Sequence, residues 1–349
     1  MNNDSVLYLN RRDVASACKD LDSVAIIREM FRMHATGQTT LPDEAYLGWT
    51  NSSGEMVRSL NMPGCLGGST NAAGTKIING NINNPSRGIP RASGLTLLFD
   101  YVSARVTCIM EGAYISSLRT ASVSLLATQV LASEQFECLA VVGSGVQAQA
   151  HLELVLKRGE SYPFLRRVAL FDVDSGRMEA FQRAVAPALH ARGIDLLPVA
   201  TAEEAIRQGQ LIITTTTTTT GYISYDWLQA GALLLNVSLD DPLPEVVLQA
   251  DRVVVDDWML VKHDPRRLLG RMYREGKIAG PDEPATGLSH PRRVDAQLGE
   301  IVNGEKPGRE RRDEIILFNP FGLAIEDIAI ASAVYQSAQQ LGLGIWLER

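Results

Sequence analysis

The run Val141-Val142-Gly143-Ser144-Gly145-Val146-Gln147-Ala148 constrains the fold more than any other part of the chain. It is a G-x-G-x-x-A loop between an apolar stretch, CLAVVG, and a helical one, HLELVLKRG. A short strand that is apolar on both faces belongs inside a parallel sheet covered by helices. The first glycine allows a tight turn and the second lets a pyrophosphate approach the backbone. The small third residue lets helix and strand pack closely. Free N–H groups at the helix start then face the phosphate. The loop nominates Gly143, Ser144, Gly145, Val146 and Gln147 as cofactor contacts. Asp172 ends VALFD, 172 − 145 = 27 residues past the second glycine. An acid there accepts hydrogen bonds from ribose hydroxyls and repels a 2′-phosphate, so the expected cofactor is NAD rather than NADP.

The pattern continues downstream. RVALFDVD, QLIITTTT, GALLLNVS and DRVVVDD read as strands, and GRMEAFQRAVAPALHARG reads as a helix. Short apolar strands separated by helices predict an α/β domain with a Rossmann-type parallel sheet. The seven threonines Thr214 to Thr220 form the only low-complexity run, and they fall where the fourth strand of such a sheet ends. Thr215 and Thr216, with Ser238 after the following strand, are therefore candidate cofactor contacts. A β-branched strand with polar overflow accounts for any single threonine equally well.

The N-terminal third reads differently. Asp22–Gly37 has apolar residues Ile26, Met30 and Met33 at helix spacing, with a glycine stop. Asn51-Ser52-Ser53-Gly54 is a hairpin signal between strand-like pieces at 46–49 and 56–60, and 95–100 with 104–110 looks like another pair. A long packed helix follows Glu111. The end, FGLAIEDIAIASAVYQSAQQLG, reads as a helix with no strand after it, packing back on the first third. The expected organisation is a discontinuous α+β substrate-binding and dimerisation domain, 1–120 with 320–349, and an NAD-binding domain at 121–319. A length of 349 residues agrees with two domains, since one core rarely grows past about 250–300.

Composition excludes other classes. Charged residues sum to 33 − 40 = −7, so no broad basic face for nucleic acid is expected. No run of about 18 apolar residues exists to span a membrane, and MNNDSVLYLNRRD lacks a signal-peptide core. Cys18, Cys65, Cys108 and Cys138 form no C-x-x-C pair, which favours reduced thiols in a cytoplasmic protein. His34, His151, His190, His263 and His290 show no metal-ligand spacing, so no metal is expected.

Isolated cations stand in glycine-rich or apolar surroundings: Arg58 in MVRSLNMPG, Lys76 in GTKIING, Arg119 in SSLRTASVSLL, and Arg87 and Arg91 in NPSRGIPRAS. Arg119 lies in a run of small and apolar residues. A buried guanidinium needs an anion, either a ligand carboxylate, which its planar fork fits well, or an acid of the chain. Arg58 and Arg87 are as readily solvated surface charges.

Beyond these residues, GTKIINGNINNP, Arg119-Thr120-Ala121, VVGSGVQA, LLNVSLDDP and AQLGEIVNGEKPGRERRDEIILFNPFGLAIEDIAIA make the chain resemble the ornithine cyclodeaminase/mu-crystallin family over nearly its whole length. ISYDWLQAGALLLNVS, VVVDDW and KPGRERRDEIILFNPFGLAIEDIA are most similar to the branch that oxidises N-(2-amino-2-carboxyethyl)-L-glutamate with NAD. That branch yields L-2,3-diaminopropionate and 2-oxoglutarate, for siderophores or peptide natural products. The resemblance implies a substrate carboxylate held by Lys76 and Arg119, and an aspartate after the fifth strand facing the substrate amine. Here that is Asp241, or Asp240 if the loop is shifted by one. It also implies NAD contacts from the glycine loop and Asp172, and a homodimer built through the non-nucleotide domain. Lys76 serves as a carboxylate anchor or, if burial lowers its pKa, as a proton shuttle. Cyclodeaminases, ketimine or imine reductases and non-catalytic mu-crystallin-like nucleotide binders are the alternatives within the family.

The chain departs from the cyclodeaminase pattern at one point. Those enzymes carry an acid just before M-P, placed for the ornithine amine, whereas here the stretch is Leu60-Asn61-Met62-Pro63. An apolar Leu60 cannot hold an ammonium. Arg58 and Arg91 instead add positive charge, as a small polyanionic amino acid with three carboxylates requires.

Overall fold

The computed structural model describes residues 5–133, 135–238, 240–283 and 292–349; His290 and the first four residues of the N-terminal reading lie outside them. The chain divides into two compact units, Met1–Arg119 with Gly322–Arg349, and Thr120–Phe321. Among the described residues no helix is long and apolar enough to cross a membrane.

The Thr120–Phe321 unit is built on an eight-stranded sheet. In chain order its strands are Cys138–Val142, Arg167–Phe171, Asp195–Pro198, Leu211–Thr214, Leu233–Asn236, Arg252–Val255, Ala296–Gln297 and Ile316–Phe318. They lie side by side in the order 3-2-1-4-5-8-6-7, and every pair is parallel. Strand residues such as Val142, Ala169, Ile212, Leu234 and Val253 are almost fully buried, as two-sided helical cover demands. The order reverses between the first and fourth strands. In open α/β sheets ligands bind outside the carboxyl ends of the strands at such a reversal, and here the glycine loop and the threonine run leave it on either side. Only Thr214 of the run is in the strand; Thr215–Thr220 continue as loop. The sequence reading ended the sheet at DRVVVDD. Ile316–Phe318, which enters between Leu233–Asn236 and Arg252–Val255, was not foreseen.

The other unit holds a mainly antiparallel sheet. The hairpin around Asn51–Gly54 joins Ala45–Thr50 to Met56–Leu66, with Gly54 at φ 76°. Ala72–Asn81, Ala92–Phe99 and Val106–Glu111 follow in antiparallel register. Ser5–Leu9 pairs parallel with Val106–Glu111. The helix expected at 22–37 is Ser23–Ala35. The Asp22 carboxylate accepts from the Ala25 N–H at 3.0 Å, and Gly37 lies beyond the end at φ 72°. Its buried stripe runs through Val24, Ile27, Met30 and Phe31 rather than Ile26.

The final helix, Ala324–Leu341, packs within this unit, where the Ser337 hydroxyl donates to the Ala17 carbonyl. The tail departs from expectation, because a strand does follow the helix. Gly342 (φ 65°) ends the helix and Gly344 (φ 90°) turns the chain, so that Ile345–Glu348 pairs antiparallel with Ser5–Leu9. Its side chains are exposed, so no alternation of burial marked it in the sequence.

Residues 60, 62, 64 and 66 of one strand and 72, 74 and 76 of its neighbour form the buried face beneath the final helix. Close approach requires glycine there. A Cβ on Gly74 would overlap the Leu97 carbonyl oxygen and stand 2.8 Å from Ile328 Cδ1. Gly74→Ala is expected to destabilise the protein by about 1–3 kcal/mol, as overpacking does. Urea unfolding with an unchanged midpoint would refute this account of the helix–sheet contact.

Candidate active site

In the parallel-sheet unit the glycine loop adopts the conformation its sequence requires. Gly143 has φ 95°, and a Cβ there would stand 3.0 Å from the Thr215 backbone. A Cβ on Gly145 would meet no protein atom within 4 Å, so the space above it is open. Gly145 is the N-cap of Val146–Lys157 with no side-chain cap, which leaves the first N–H groups of a twelve-residue helix available to an anion. Ala148 is fully buried, as the third position of the motif must be, and Gln147 Oε1 is buried without a hydrogen-bond partner. Asp172 Oδ2 accepts from both the N–H and the hydroxyl of Ser144, each at 2.7 Å. An open glycine, an uncapped helix start and a carboxylate at the loop are the features a dinucleotide needs.

The threonine run and the loop after the fifth strand converge beside Gly143. The Thr215 hydroxyl donates to the Gly143 carbonyl at 3.2 Å, and the Thr216 N–H donates to Ser238 Oγ at 2.9 Å. Thr216 Oγ1 (2.7 Å) and Tyr222 OH (3.0 Å) both donate to Asp241 Oδ1. Asp241 is fully buried, and its Oδ2 has no hydrogen-bond partner among the described residues. Burial raises its pKa above the usual aspartate value, against hydrogen bonds from Thr216, Ser238 and Tyr222 that lower it. The Tyr222 hydroxyl is pushed up in turn, by burial and then by the Asp241 charge, so it remains a donor. The sequence left Asp240 and Asp241 as alternatives. Asp240 is taken up by a bidentate fork from Arg271, at 3.1 and 3.0 Å. Asp241 faces no cation among the described residues.

Lys76 and Arg119 meet in the other unit, on acids of the chain. Lys76 Nζ lies 2.6 Å from Asp327 Oδ2, and Arg119 Nη1 lies 2.6 Å from Glu326 Oε2. Arg119 Nε is also 3.3 Å from Asp327 Oδ2. In this structure Arg119 meets acids of the chain, so two basic and two acidic side chains stand together. The expected surplus of positive charge does not reside at this pair. Gly322, at φ 93°, makes room for the guanidinium: a Cβ there would stand 2.7 Å from Arg119 Nη1. Burial, then the Arg119 charge, lowers the Lys76 pKa, while Asp327 and Glu44 oppose the shift.

The surplus lies with Arg58 and Arg91. Arg58 is directly opposite Gly80, whose missing side chain leaves Arg58 Nε 3.7 Å and the Arg91 carbonyl 3.4 Å from where a Cβ would be. Neither guanidinium has an acid partner among the described residues. Arg91 keeps solvent contact but is crowded by protein; desolvation, then the Arg58 charge, lowers its pKa. Residues 58, 60 and 62 oppose 80, 78 and 76, so Arg58 lies on the same sheet face as Lys76. The four-residue step from 76 to 80 is roughly 13 Å along the strand. Leu60, Met62, Ile78 and Ala324 form the apolar patch between. Arg87 is paired with Glu55 and does not join this group.

Sequence reasoning missed Glu326, Asp327, Tyr222 and Arg271. The first two carried a signal, an acidic dipeptide interrupting the apolar run LAIEDIAIA. A charged pair inside a buried helix must find cations. Nothing local distinguishes Tyr222 or Arg271.

A model of the ornithine cyclodeaminase/mu-crystallin family matches residues 6–342, and the chain belongs to that family. It is 36% identical, over 99% of both chains, to the N-((2S)-2-amino-2-carboxyethyl)-L-glutamate dehydrogenase of Staphylococcus aureus. It is 29% identical to the alanine dehydrogenase of Archaeoglobus fulgidus, over 97% of both. The crystal structure of CmnK superimposes with a TM-score of 0.88 at 34% identity, covering 99% of this chain and 98% of that one. An archaeal alanine dehydrogenase dimer with bound NAD gives 0.82 at 25% identity, over 99% of each chain.

The helix after the glycine loop carries a pH signature. His151 is buried and placed between the Gln147 carbonyl (2.7 Å) and the Ser124 hydroxyl (2.8 Å). A carbonyl only accepts, so Nδ1 bears the proton and Nε2 accepts from Ser124. Burial brings the His151 pKa down from 6.5 to about 4. Between those values the unfolded chain takes up a proton that the folded one refuses, so stability falls as pH drops through that window. The loss amounts to about 3 kcal/mol. His151→Gln is expected to flatten urea-unfolding stability between the two pH values. Equal acid sensitivity in variant and parent would sink the assignment.

Proposed function

We propose that the chain is an NAD-dependent dehydrogenase that oxidises N-(2-amino-2-carboxyethyl)-L-glutamate at its glutamate Cα, giving L-2,3-diaminopropionate and 2-oxoglutarate. The observation that carries this substrate is Arg58, on the sheet face that also bears Lys76, with Arg91 near enough for the Arg58 charge to lower its pKa, and neither has an acid partner among the described residues. Two like charges are held together at a cost, and a carboxylate-rich ligand relieves it. Leu60 fills the intervening position with an apolar side chain, which supports a polyanionic substrate over one with a terminal ammonium. The reaction class rests on family membership and on the relatives, which are named as amino-acid dehydrogenases.

NAD, when bound, supplies the hydride acceptor, and its holders are Gly143, Ser144, Gly145, Val146, Gln147 and Asp172, with Thr215, Thr216 and Ser238 beyond the loop. Asp172 supports NAD over NADP, since a second negative charge would meet a carboxylate already at the loop. Lys76 and Arg119 orient one substrate carboxylate as directional donors, fixing the Cα and contributing several kcal/mol of barrier lowering. Arg58 and Arg91 take the remaining carboxylate charge. The substrate nitrogen must lose a proton as its neighbouring C–H bond breaks. Asp241, whose pKa burial raises and whose Oδ2 is uncommitted, is placed in the role of base. Water then hydrolyses the substrate imine, releasing the keto acid and the amine.

NADH formation with the conjugate, followed by mass spectrometry of the products, tests the reading; turnover of only ornithine or alanine would end it. Arg91→Ala is expected to raise the KM for the conjugate roughly 10-fold or more, the loss of a charge-assisted hydrogen bond. NADH binding by fluorescence should not change. Arg119→Ala should lower kcat/KM by about 100-fold, also without loosening NADH. Unaltered turnover in that variant would show that the guanidinium serves the fold alone.

A further inference from the structure

We infer that Asp327 is a positioning residue for substrate binding: its carboxylate joins Lys76 and Arg119 into one preset pair of donors. The inference rests on the carboxylate-holding role proposed above for those two cations. One oxygen, Asp327 Oδ2, lies 2.6 Å from Lys76 Nζ and 3.3 Å from Arg119 Nε. The cations come from different elements, the strand Ala72–Asn81 and the helix Gly112–Leu131, and they repel one another. The Asp327 contact with Arg119 Nε is electrostatic rather than a hydrogen bond. Glu326 already serves Arg119 at 2.6 Å, so the second contact from Asp327 does something a one-to-one pairing does not. It fixes the spacing of the two donor groups. Lys76 has three N–H bonds, of which one goes to Asp327 and one to Ser116 Oγ at 3.4 Å; the third remains for a ligand.

Charged groups from three other elements act on Lys76 or its partners. Asp327 and Glu326 come from the final helix, Arg119 from the helix Gly112–Leu131, and Glu44 from the segment before the strand Ala45–Thr50. Burial and Arg119 push Lys76 toward losing its proton, and Asp327 is the nearest group opposing them. Replacing that carboxylate by an amide keeps the shape but removes the opposition. Lys76 then becomes neutral at lower pH and loses its value as a carboxylate donor.

The test is Asp327→Asn in the intact enzyme, with kcat/KM for the conjugate measured across pH and NADH affinity measured by fluorescence. The expected result is a kcat/KM lower by about 100-fold, NADH binding as in the parent, and an alkaline limb displaced to lower pH. Parental kcat/KM, or a loss with the alkaline limb in place, would overturn the inference. A second measurement does not depend on the variant folding or on the conjugate being the substrate. Nitrogen NMR of the Lys76 side chain in the parent enzyme is expected to report an ammonium at neutral pH, and a neutral amine there would also overturn it. If the parent fails to oxidise the conjugate while Lys76 is an ammonium, it is the proposed substrate that falls.

Discussion

Four ionisable side chains almost without access to water set the terms for the unit that carries them. Lys76, Glu326 and Asp327 are at most 1% exposed, and Arg119 is 9% exposed. Burying any one of them alone costs several kcal/mol even after relaxation, and removing a partner from such a pair costs about 3–5 kcal/mol. Two cations against two anions is the arrangement that tolerates this burial. Each element that contributes a charge is thereby held to the others: the strand with Lys76, the helix with Arg119 and the final helix with both acids. The acids occupy the first turn of that helix, where unsatisfied N–H groups favour negative charge. Gly322 completes the arrangement, because only a residue without a side chain leaves space for the guanidinium.

Cancelled charge changes what the cluster can do for a ligand. Coulomb attraction toward an approaching anion is small where chain acids oppose the cations. Arg58 and Arg91 work in the opposite way. Among the described residues they stand without acids, close enough for one to lower the pKa of the other, and partly in contact with water. Such a pair attracts negative charge with less demand on geometry. One sheet face thus carries a neutral, rigid donor set at Lys76 and a charged, more accessible one at Arg58, with Leu60 and Ile78 between them. Under the function proposed above, a substrate with several carboxylates would use both, one to set its reacting carbon and the other to hold its remaining charge.

Much of this was legible in the chain itself, and the failures have physical causes. The glycine loop, its flanking strand and helix, and Asp172 are local features whose backbone requirements are written into neighbouring residues. The hairpin at Asn51–Gly54 and the helix after Asp22 were legible for the same reason. Ile316–Phe318 was not, because a three-residue strand inserted between two earlier ones is defined by distant partners. Ile345–Glu348 was hidden by its exposed side chains. At the site, the residue types were readable but their pairings were not. Lys76 and Asp327 are neighbours only because the final helix returns to the first sheet, and a single sequence contains no record of that return. The acidic dipeptide in LAIEDIAIA was the one usable sign, since two carboxylates in a buried helix imply two buried cations.

The same electrostatics explain why Leu60 and the arginine pair belong together. Position 60 is two residues from Arg58 on the same strand face, about 7 Å along the backbone. An acid at position 60 would sit beside Arg58 and cancel the charge that the pair supplies. Conversely, an ammonium-bearing substrate arriving beside Arg58 and Arg91 would meet repulsion with nothing at Leu60 to offset it. The two arrangements are therefore exclusive: this face can hold an acid for a substrate amine or free guanidinium groups for substrate carboxylates, but each device weakens the other. The choice between them is made by a few side chains at the open end of the sheet face. It leaves the buried charge cluster and the glycine loop untouched, so under the function proposed above substrate selection would change without rebuilding either.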